Sequence, residues 1–252
     1  MSLLSIQNLT VTVNGTKILD DVSFCVGKGR ITALVGGSGS GKTTAGMAIL
    51  RLLDQALTIR SGQVLFENED LLAASAQHMR RVRGAQIAMV FQEPLDAFDP
   101  LFTIGEQIDE VLAAHTGLSS QQRHQRAMEV LSQVRLPQPG RVVRRYPHQL
   151  SGGQRQRAMI AQSIACGPKL LIADEPTSNL DVVAQAGIMD VFRALKSDMS
   201  VILITHDLGM VAHIADDAVV LCEGRVVEAG PVKDIMTNPR HPYTQAMVEV
   251  FR

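Results

Sequence analysis

Residues 36–43 read GGSGSGKT and directly follow the apolar run ITALV of residues 31–35. The eight residues match the pattern G-x4-G-K-[ST] in full, and a helical pattern comes after them. Glycines allow the backbone to fold tightly enough to turn successive N–H groups onto a chain of phosphates. A chance match is expected in on the order of one per cent of chains of this size. The stretch therefore predicts a nucleotide phosphate site between a strand and a helix.

Two side chains of this stretch carry specific roles in the predicted site. Lys42 is expected to place its ammonium group against the β- and γ-phosphates, and the Thr43 hydroxyl is expected to coordinate Mg²⁺. The expected nucleotide-binding residues are Gly36, Gly37, Ser38, Gly39, Ser40, Gly41, Lys42, Thr43 and Thr44.

A second apolar strand ends in two carboxylates. Residues 169–175 read KLLIADE, and a run without alternation is typical of a strand buried on both faces. Asp174 is expected to hold Mg²⁺ through water, and Glu175 to polarise the attacking water. Taken alone, the two acids could simply start a loop before Pro176. Beside a phosphate loop, the catalytic interpretation is favoured.

Two more apolar runs end in polar residues. Residues 87–91 precede Gln92, and residues 201–205 precede His206. Ligands of open α/β sheets bind at the carboxyl ends of the strands, so these side chains are expected at one edge with Lys42. A single Gln or His after a strand is usually a solvated loop residue. Their coincidence with the other strand ends favours a functional role.

Residues 150–154 read LSGGQ and precede a helical pattern. Ser151 followed three residues later by Gln154 forms a capping box, which by itself explains both residues. It does not explain Gly152 and Gly153, which expose bare N–H groups at a helix N-terminus where an anion can bind. The sequence thus contains two helix starts that can bind an anion, one after residues 36–43 and one after Ser151, but only one predicted metal site and one predicted base. This indicates that the helix start after Ser151 binds the ATP of another subunit.

The composition is that of an ordinary globular protein. The chain has 252 residues, a formal net charge of −1, 46% hydrophobic residues and 19% charged residues. These values exclude a disordered chain and a coiled-coil rod, and they give no cationic field for nucleic acid. The start lacks a signal-peptide pattern, no run is long enough for a membrane-spanning helix, and three dispersed cysteines fit reduced thiols. We expect a cytoplasmic protein without a transition-metal site.

The order of patterns predicts an α/β fold with a mostly parallel sheet. Residues 3–26 alternate around Asn14-Gly15, which predicts antiparallel β structure. Strands and helices then alternate, with helical patterns through Leu53, over 158–165 and over 188–195, strands over 170–173 and 201–205, and a hairpin over 217–230. We expect one ATPase core with its β subdomain, formed by 1–93 and 151–252, and a helical insertion over about 94–150.

Together these motifs resemble those of the ATP-binding subunits of ABC transporters. GGSGSGKT is similar to the Walker A loop, LLIADE to the Walker B strand and LSGGQ to the family signature, while Gln92 and His206 fall at the Q-loop and the switch histidine. Residues 178–181 resemble the D-loop, with Asn179 and Asp181 as its site residues. The resemblance covers nearly the whole chain. Val13 stands where the family often stacks an aromatic residue on adenine, so π-stacking would be absent.

The resemblance implies an ATPase that powers transport, with ATP and Mg²⁺ bound. Mg²⁺ would be held by Thr43, Gln92 and Asp174, with Glu175, His206 and Gln92 as catalytic residues. Two ATP molecules would lie between two subunits, each between one phosphate loop and the partner's residues 151–154. The implied partners are a second, different ATP-binding subunit, two membrane-spanning permease subunits and an extracytoplasmic solute-binding protein. The implied location is the cytoplasmic face of the inner membrane.

Two further segments narrow the resemblance to importers of peptides and nickel. These segments are residues 93–100, EPLDAFDP, and residues 238–244, NPRHPYT. The chain ends soon after the second, without the cysteine-bearing tail of many peptide importers. The short C-terminal segment and residues 181–185, DVVAQ, are most similar to the ATP-binding subunits of nickel importers, so we favour nickel uptake over peptide uptake. A soluble ABC ATPase, a P-loop kinase and a non-catalytic nucleotide-binding partner are the rivals from other classes.

Overall fold

The structure, a computed structural model, describes residues 2–93, 97–178 and 180–251. The chain forms two compact units, one made of Met1–Arg80 with Ser200–Arg252 and the other of Arg81–Met199. The elements of the first unit are β1 (Ser2–Val13), β2 (Thr16–Gly27), β3 (Ile31–Val35), α1 (Lys42–Ile49), β4 (Leu57–Phe66), β5 (Glu69–Asp70), β8 (Ser200–Thr205), α8 (Leu208–Ile214), β9 (Asp217–Cys222), β10 (Arg225–Pro231), α9 (Val232–Thr237) and α10 (Pro242–Phe251).

The second unit is richer in helix. The boundary between the two units in sequence falls within α2 (Ala76–Val82). The elements of the second unit are β6 (Ile87–Val90), α3 (Ile104–His115), α4 (Ser120–Gln133), α5 (Pro139–Val142), a 3₁₀ turn (Pro147–Gln149), α6 (Gly152–Ile164), β7 (Leu170–Asp174) and α7 (Val182–Leu195). In the described part of the chain, no helix combines the length and apolar character needed to cross a bilayer.

An antiparallel sheet opens the first unit, as the alternation in the sequence predicts. Its strand order is β2-β1-β4-β5, and β1 and β2 meet at a two-residue turn in which Asn14 and Gly15 have φ values of 48° and 83°. Positive φ at both positions is the geometry that joins two strands without splaying them. The predicted hairpin is confirmed.

The phosphate-loop strand lies inside the second sheet of this unit. There the order is β10-β9-β3-β8, with β3 parallel to both β8 and β9 and β10 antiparallel to β9. All five residues of β3 and all six of β8 are buried, which explains why neither run alternates. The hairpin predicted over 217–230 is confirmed, since β9 and β10 pair and are joined by a turn at Glu223-Gly224.

In the second unit, two parallel strands and a set of helices form the core. β6 and β7 pair in parallel from Ile87 opposite Leu170 to Val90 opposite Ala173. α3, α4 and α6 each begin with a capping box, in which the N-cap hydroxyl and the N3 side chain exchange hydrogen bonds with backbone N–H groups. The predicted insertion over 94–150 falls within this unit, but its boundaries stay a prediction, and residues 94–96 lie outside the described residues.

One helix is shorter than the sequence predicts. The apolar pattern extends through Leu52 and Leu53, yet α1 ends at Ile49 because Arg51 has φ of 52°. The N–H groups of Arg51 and Leu52 donate to the carbonyls of Ala48 and Met47, which is the Schellman arrangement. Glycine usually occupies the position of Arg51, so its absence hides the helix end from a sequence analysis. Arg51 is held there because its guanidinium donates to the carbonyl of Ala74 at 2.5 Å.

Gly62 allows a close approach in the antiparallel sheet. It has φ of 105° and faces an irregularity in β1, where a Cβ at this position would lie 2.6 Å from Leu9 Cα and 2.7 Å from Asn8 O. Gly15 has a similar φ with no atom within 4 Å of its Cβ position. We expect Gly62→Ala to lower the free energy of unfolding by about 1–3 kcal/mol more than Gly15→Ala does, because only the first forces backbone apart. Urea denaturation of both variants measures the difference, and equal losses would contradict it.

Candidate nucleotide-binding site

The loop between β3 and α1 bends so closely against its neighbours that its first residue must be glycine. A Cβ at Gly36, where φ is 156°, would lie 2.2 Å from the carbonyl oxygen of Leu221 on β9. At its other end the loop enters α1 through Gly41, a left-handed N-cap with φ of 99°. The first N–H groups of a helix have no partner within the helix, and they and the helix dipole favour an anion.

Lys42 places a positive charge over this loop. It is the first residue of α1 and only 7% exposed, and its Nζ donates to the carbonyl oxygens of Gly36 at 2.9 Å and Gly37 at 2.8 Å. The ammonium group is therefore held beside the N–H groups that begin the helix. A phosphate chain bound there would meet both a fixed charge and directed N–H donors.

The turn of the β9–β10 hairpin supports the loop from outside, a contact that the sequence analysis missed. The N–H of Gly224 donates to Ser40 O at 3.1 Å, and the carbonyl of Gly224 accepts from Asp20 N at 2.8 Å. The Asp20 carboxylate in turn accepts hydrogen bonds from Lys17 and Arg225, and these bonds lower its pKa. Only the three-dimensional pairing of β3 with β9 brings this hairpin to the loop.

His206 lies at the same edge as the loop, as predicted. Thr205, the last residue of β8, pairs with Val35, the last residue of β3. His206 and Gly36 therefore leave neighbouring parallel strands at the same end, and the His206 side chain is exposed there.

The strand ends of the second unit bring the predicted acids and Gln92 together. Asp174 ends β7 and is 3% exposed, while Gln92 follows β6 by two residues at the same edge of this strand pair. Glu175 has φ of 43°, a costly conformation for this residue type, and its carbonyl accepts hydrogen bonds from the N–H and hydroxyl of Ser178 at 3.1 and 2.9 Å. The turn over residues 175–178 therefore fixes the backbone position of Glu175.

Residues 151–154 of the LSGGQ segment line a cleft of about 470 Å³ within the second unit. Ser151 caps α6, and its hydroxyl accepts from Gln154 N at 3.4 Å while Gln154 Oε1 accepts from Ser151 N at 3.1 Å. The capping interpretation is therefore correct. Gly152 and Gly153, the first two residues of α6, also line the cleft, and the first N–H groups of a helix have no partner within the helix.

Across the cleft lies the start of α7, which brings the D-loop residue Asp181 to the signature. Asp181 caps α7 by accepting from Ala184 N at 2.8 Å, and a Cβ at Gly153 would lie 3.1 Å from Ala184 Cβ. Asn179, the other predicted D-loop residue, lies outside the described residues. Arg157, which the sequence analysis missed, also lines the cleft and donates to the carbonyl of Arg135 at 2.9 Å.

Val13, the predicted adenine contact, is the last residue of β1. It pairs with Thr16 and Leu57 and is half-buried. Its contact with a base stays a prediction.

Comparison with known proteins identifies the family. Residues 19–178 match the ABC transporter family. The chain belongs to the ABC transporter family. As such it is an ATPase that hydrolyses ATP to drive transport. A relative from Brucella abortus is 46% identical over 255 residues, which span 99% of this chain and 77% of that protein. The dipeptide transport ATP-binding protein DppD of Haemophilus influenzae is 44% identical over 98% of this chain and 77% of its own length.

Solved structures confirm the predicted α/β fold of this ABC subunit. A dimeric ABC transporter cassette, MJ0796, superposes with a TM-score of 0.80 at 28% identity and covers 91% of this chain and 98% of its own. CbiO1 from Clostridium perfringens, part of the transporter complex CbiONQ, superposes with a TM-score of 0.83 at 27% identity over 94% and 91%. Another structure of MJ0796 is a dimer bound to ADP and phosphate.

The geometry of Lys42 yields a direct test of the loop. We expect Lys42→Ala to weaken ATP binding by about 10- to 100-fold, because a charged hydrogen-bonding group is lost from the loop. Titration with a fluorescent ATP analogue measures the dissociation constant. Lys28→Ala is the matched control, since Lys28 is exposed and pairs only loosely with Glu67 at 3.5 Å. Equal affinities of both variants would contradict the role of Lys42.

Proposed function

We propose that this chain is the ATP-hydrolysing subunit of an ABC importer that takes up peptides. The observation that carries the proposal is the similarity over almost the whole chain to DppD, a dipeptide transport ATP-binding protein, at 44% identity in two bacterial species. A glutathione import ATP-binding protein, GsiA of Salmonella paratyphi A, is 47% identical over 90% of this chain and supports the same substrate class. That match spans 38% of GsiA.

Nickel uptake, which the sequence analysis ranked first, has weaker support. It rested on the segment DVVAQ and on the short distance between the NPRHPYT segment and the end of the chain. The named relatives act on dipeptides and glutathione, which favours the alternative that the sequence analysis ranked second.

In the proposed mechanism, the phosphates of ATP bind the N–H groups of residues 38–43 and the Lys42 ammonium group. Glu175 orients and polarises the attacking water, and His206 contacts the γ-phosphate. The oxygen donors of Thr43, Asp174 and Gln92 fit Mg²⁺, which prefers such ligands and would neutralise phosphate charge. Asp174 suits this role because it ends β7 and carries a carboxylate, a ligand type that Mg²⁺ prefers.

The second half of each ATP site would come from a partner subunit. The cleft at residues 151–154 is lined by the first residues of α6 and by the apolar Val183, which is 83% accessible. An exposed apolar side chain beside an anion-binding helix start suits a surface that closes on another protein. We propose that the partner's ATP binds there and that full activity requires the closed dimer.

A separate cleft in the second unit suits a membrane subunit. It measures about 820 Å³ and is lined by Phe102, Thr103, Glu106 and Asp109 among others. The neighbouring Leu101 and Phe102 are 78% and 48% exposed, which is unusual for large apolar side chains. We propose that a permease subunit docks here at the cytoplasmic face of the inner membrane, and that Gln92 couples ATP binding to this contact.

Uptake measurements in the source organism test the proposal. A strain in which this gene is deleted is compared with the wild type for uptake of a radiolabelled dipeptide and of ⁶³Ni²⁺. Loss of dipeptide uptake that is restored by the wild-type gene but not by Glu175→Gln supports peptide import. Loss of nickel uptake alone would replace it with the nickel hypothesis, and loss of neither would refute both.

The proposed base gives a second prediction. Glu175→Gln should reduce ATP turnover by about 10²- to 10⁴-fold while ATP binding stays unchanged, because a positioned base is lost but the phosphate contacts are not. Phosphate release and nucleotide titration measure the two effects separately. Glu249→Gln, a change at an exposed residue of α10, serves as the control. Near-normal turnover of Glu175→Gln would remove Glu175 from this role.

Replacement of the signature serine separates the helix cap from phosphate binding. Ser151→Asp retains a capping oxygen, so the stability of α6 should change by less than about 1 kcal/mol. The new carboxylate would repel the partner's phosphates, so ATP turnover should fall by about tenfold or more. Ser119→Asp is the matched control, because Ser119 forms the same capping box with Gln122 in α4. Equal turnover of the two variants would contradict the proposed phosphate contact.

A further inference from the structure

The segment NPRHPYT, residues 238–244, contacts the phosphate loop, although the motifs above assign it no role. The Tyr243 hydroxyl oxygen accepts a hydrogen bond from the N–H of Gly37 at 2.7 Å. The Tyr243 ring packs against a buried apolar cluster that includes Ala33 and Val35 of the loop's own strand and Val220 of β9. The tyrosine therefore joins the base of the loop to the core beneath it.

The segment is fixed in place by β10. The Glu228 carboxylate accepts hydrogen bonds from the N–H groups of Arg240 and His241, both at 3.0 Å. Burial raises the pKa of Glu228, but these hydrogen bonds outweigh it, so the pKa of this carboxyl lies below its ordinary value. His241 Nδ1 then accepts from Tyr243 N at 3.2 Å. A series of hydrogen bonds that starts at Glu228 on β10 therefore holds Tyr243 against the loop.

Room for this contact exists because residue 37 has no side chain. A Cβ at Gly37 would lie 3.1 Å from the Tyr243 hydroxyl oxygen, closer than most Cβ contacts. The loop is then held at two points, since Gly224 N bonds Ser40 O on its far side. One of these holds is a main-chain bond made by a glycine, whose φ of 76° and missing side chain allow the turn to approach Ile18 O. The other depends on a single hydroxyl group.

We propose that Tyr243 is a positioning residue for the phosphate loop. Its hydroxyl fixes the Gly37 peptide, so the N–H groups that follow keep the direction in which they bind phosphate. Holding the loop in its binding conformation lowers the cost of ordering it when ATP binds. The role concerns ATP binding by the ABC ATPase and does not depend on which solute is transported.

The test compares Tyr243→Phe with Tyr146→Phe in the 252-residue chain. Both variants lose one tyrosine hydroxyl, but Tyr146 belongs to the second unit, where it stacks on His148, whereas the loop belongs to the first unit. A fluorescent ATP analogue is titrated into each protein and then displaced with sodium tripolyphosphate, which has no base or sugar. We expect Tyr243→Phe to bind both ligands about 2- to 10-fold more weakly, and Tyr146→Phe to bind them like the wild type.

Two outcomes would overturn the proposal. One is unchanged affinity of Tyr243→Phe for both ligands. The other is weaker binding of the ATP analogue with unchanged binding of tripolyphosphate, which would place the effect at the base rather than at the loop. A purely structural role would lower the unfolding temperature without changing the affinity of the folded protein, so thermal melts are recorded alongside.

A second variant keeps the proposal testable if Tyr243→Phe does not fold. Glu228→Gln leaves the tyrosine in place but weakens its anchor, and it should reduce the affinity for both ligands in the same proportion. Wild-type affinities of a folded Glu228→Gln variant would then overturn the proposal. ATP binding by the wild type and its loss in Lys42→Ala are read in the same titration, so failure of the ATPase assignment is distinguishable from failure of the tyrosine contact.

Discussion

The close approach of Gly36 to the carbonyl of Leu221 is the constraint on which the site depends. Because there is no space for even one methyl group between Gly36 and Leu221 O, the backbone that leaves β3 lies directly against β9. The path of this backbone determines the course of the loop, the position at which α1 begins and the position of the Lys42 ammonium group. The buried, parallel strands on both sides supply the rigidity, because their ladders hold β3 in register with β8 and β9.

The pattern of the sequence predicts this architecture well because each of its signals is local. Four apolar residues and Thr32, in a run without alternation before the glycine-rich loop, indicate a strand buried on both faces, and β3 is such a strand. Ser151 and Gln154 indicate a capping box, and it is present. The end of α1 is mispredicted because an arginine takes the left-handed position that glycine usually holds, and a tertiary contact with Ala74 keeps it there.

The contacts that sequence reasoning missed join residues that are far apart in the chain. Gly224 and Tyr243 reach a loop about two hundred residues earlier, and only the pairing of β9 with β3 makes these contacts possible. NPRHPYT is conspicuous in the sequence, but no spacing rule relates it to GGSGSGKT. Similarly, the placement of Asp181 beside Gly153 follows from how α7 packs on α6, which the spacing of the two motifs does not determine.

The two carbonyl bonds of the Lys42 ammonium group orient this side chain before any ligand arrives. Ordering a lysine side chain costs about 1.5–2 kcal/mol of rotamer entropy, and here that cost falls on folding rather than on ATP binding. The attraction of a fixed ammonium group grows with the number of negative charges on its ligand. A polyphosphate therefore gains more from this lysine than a singly charged anion does.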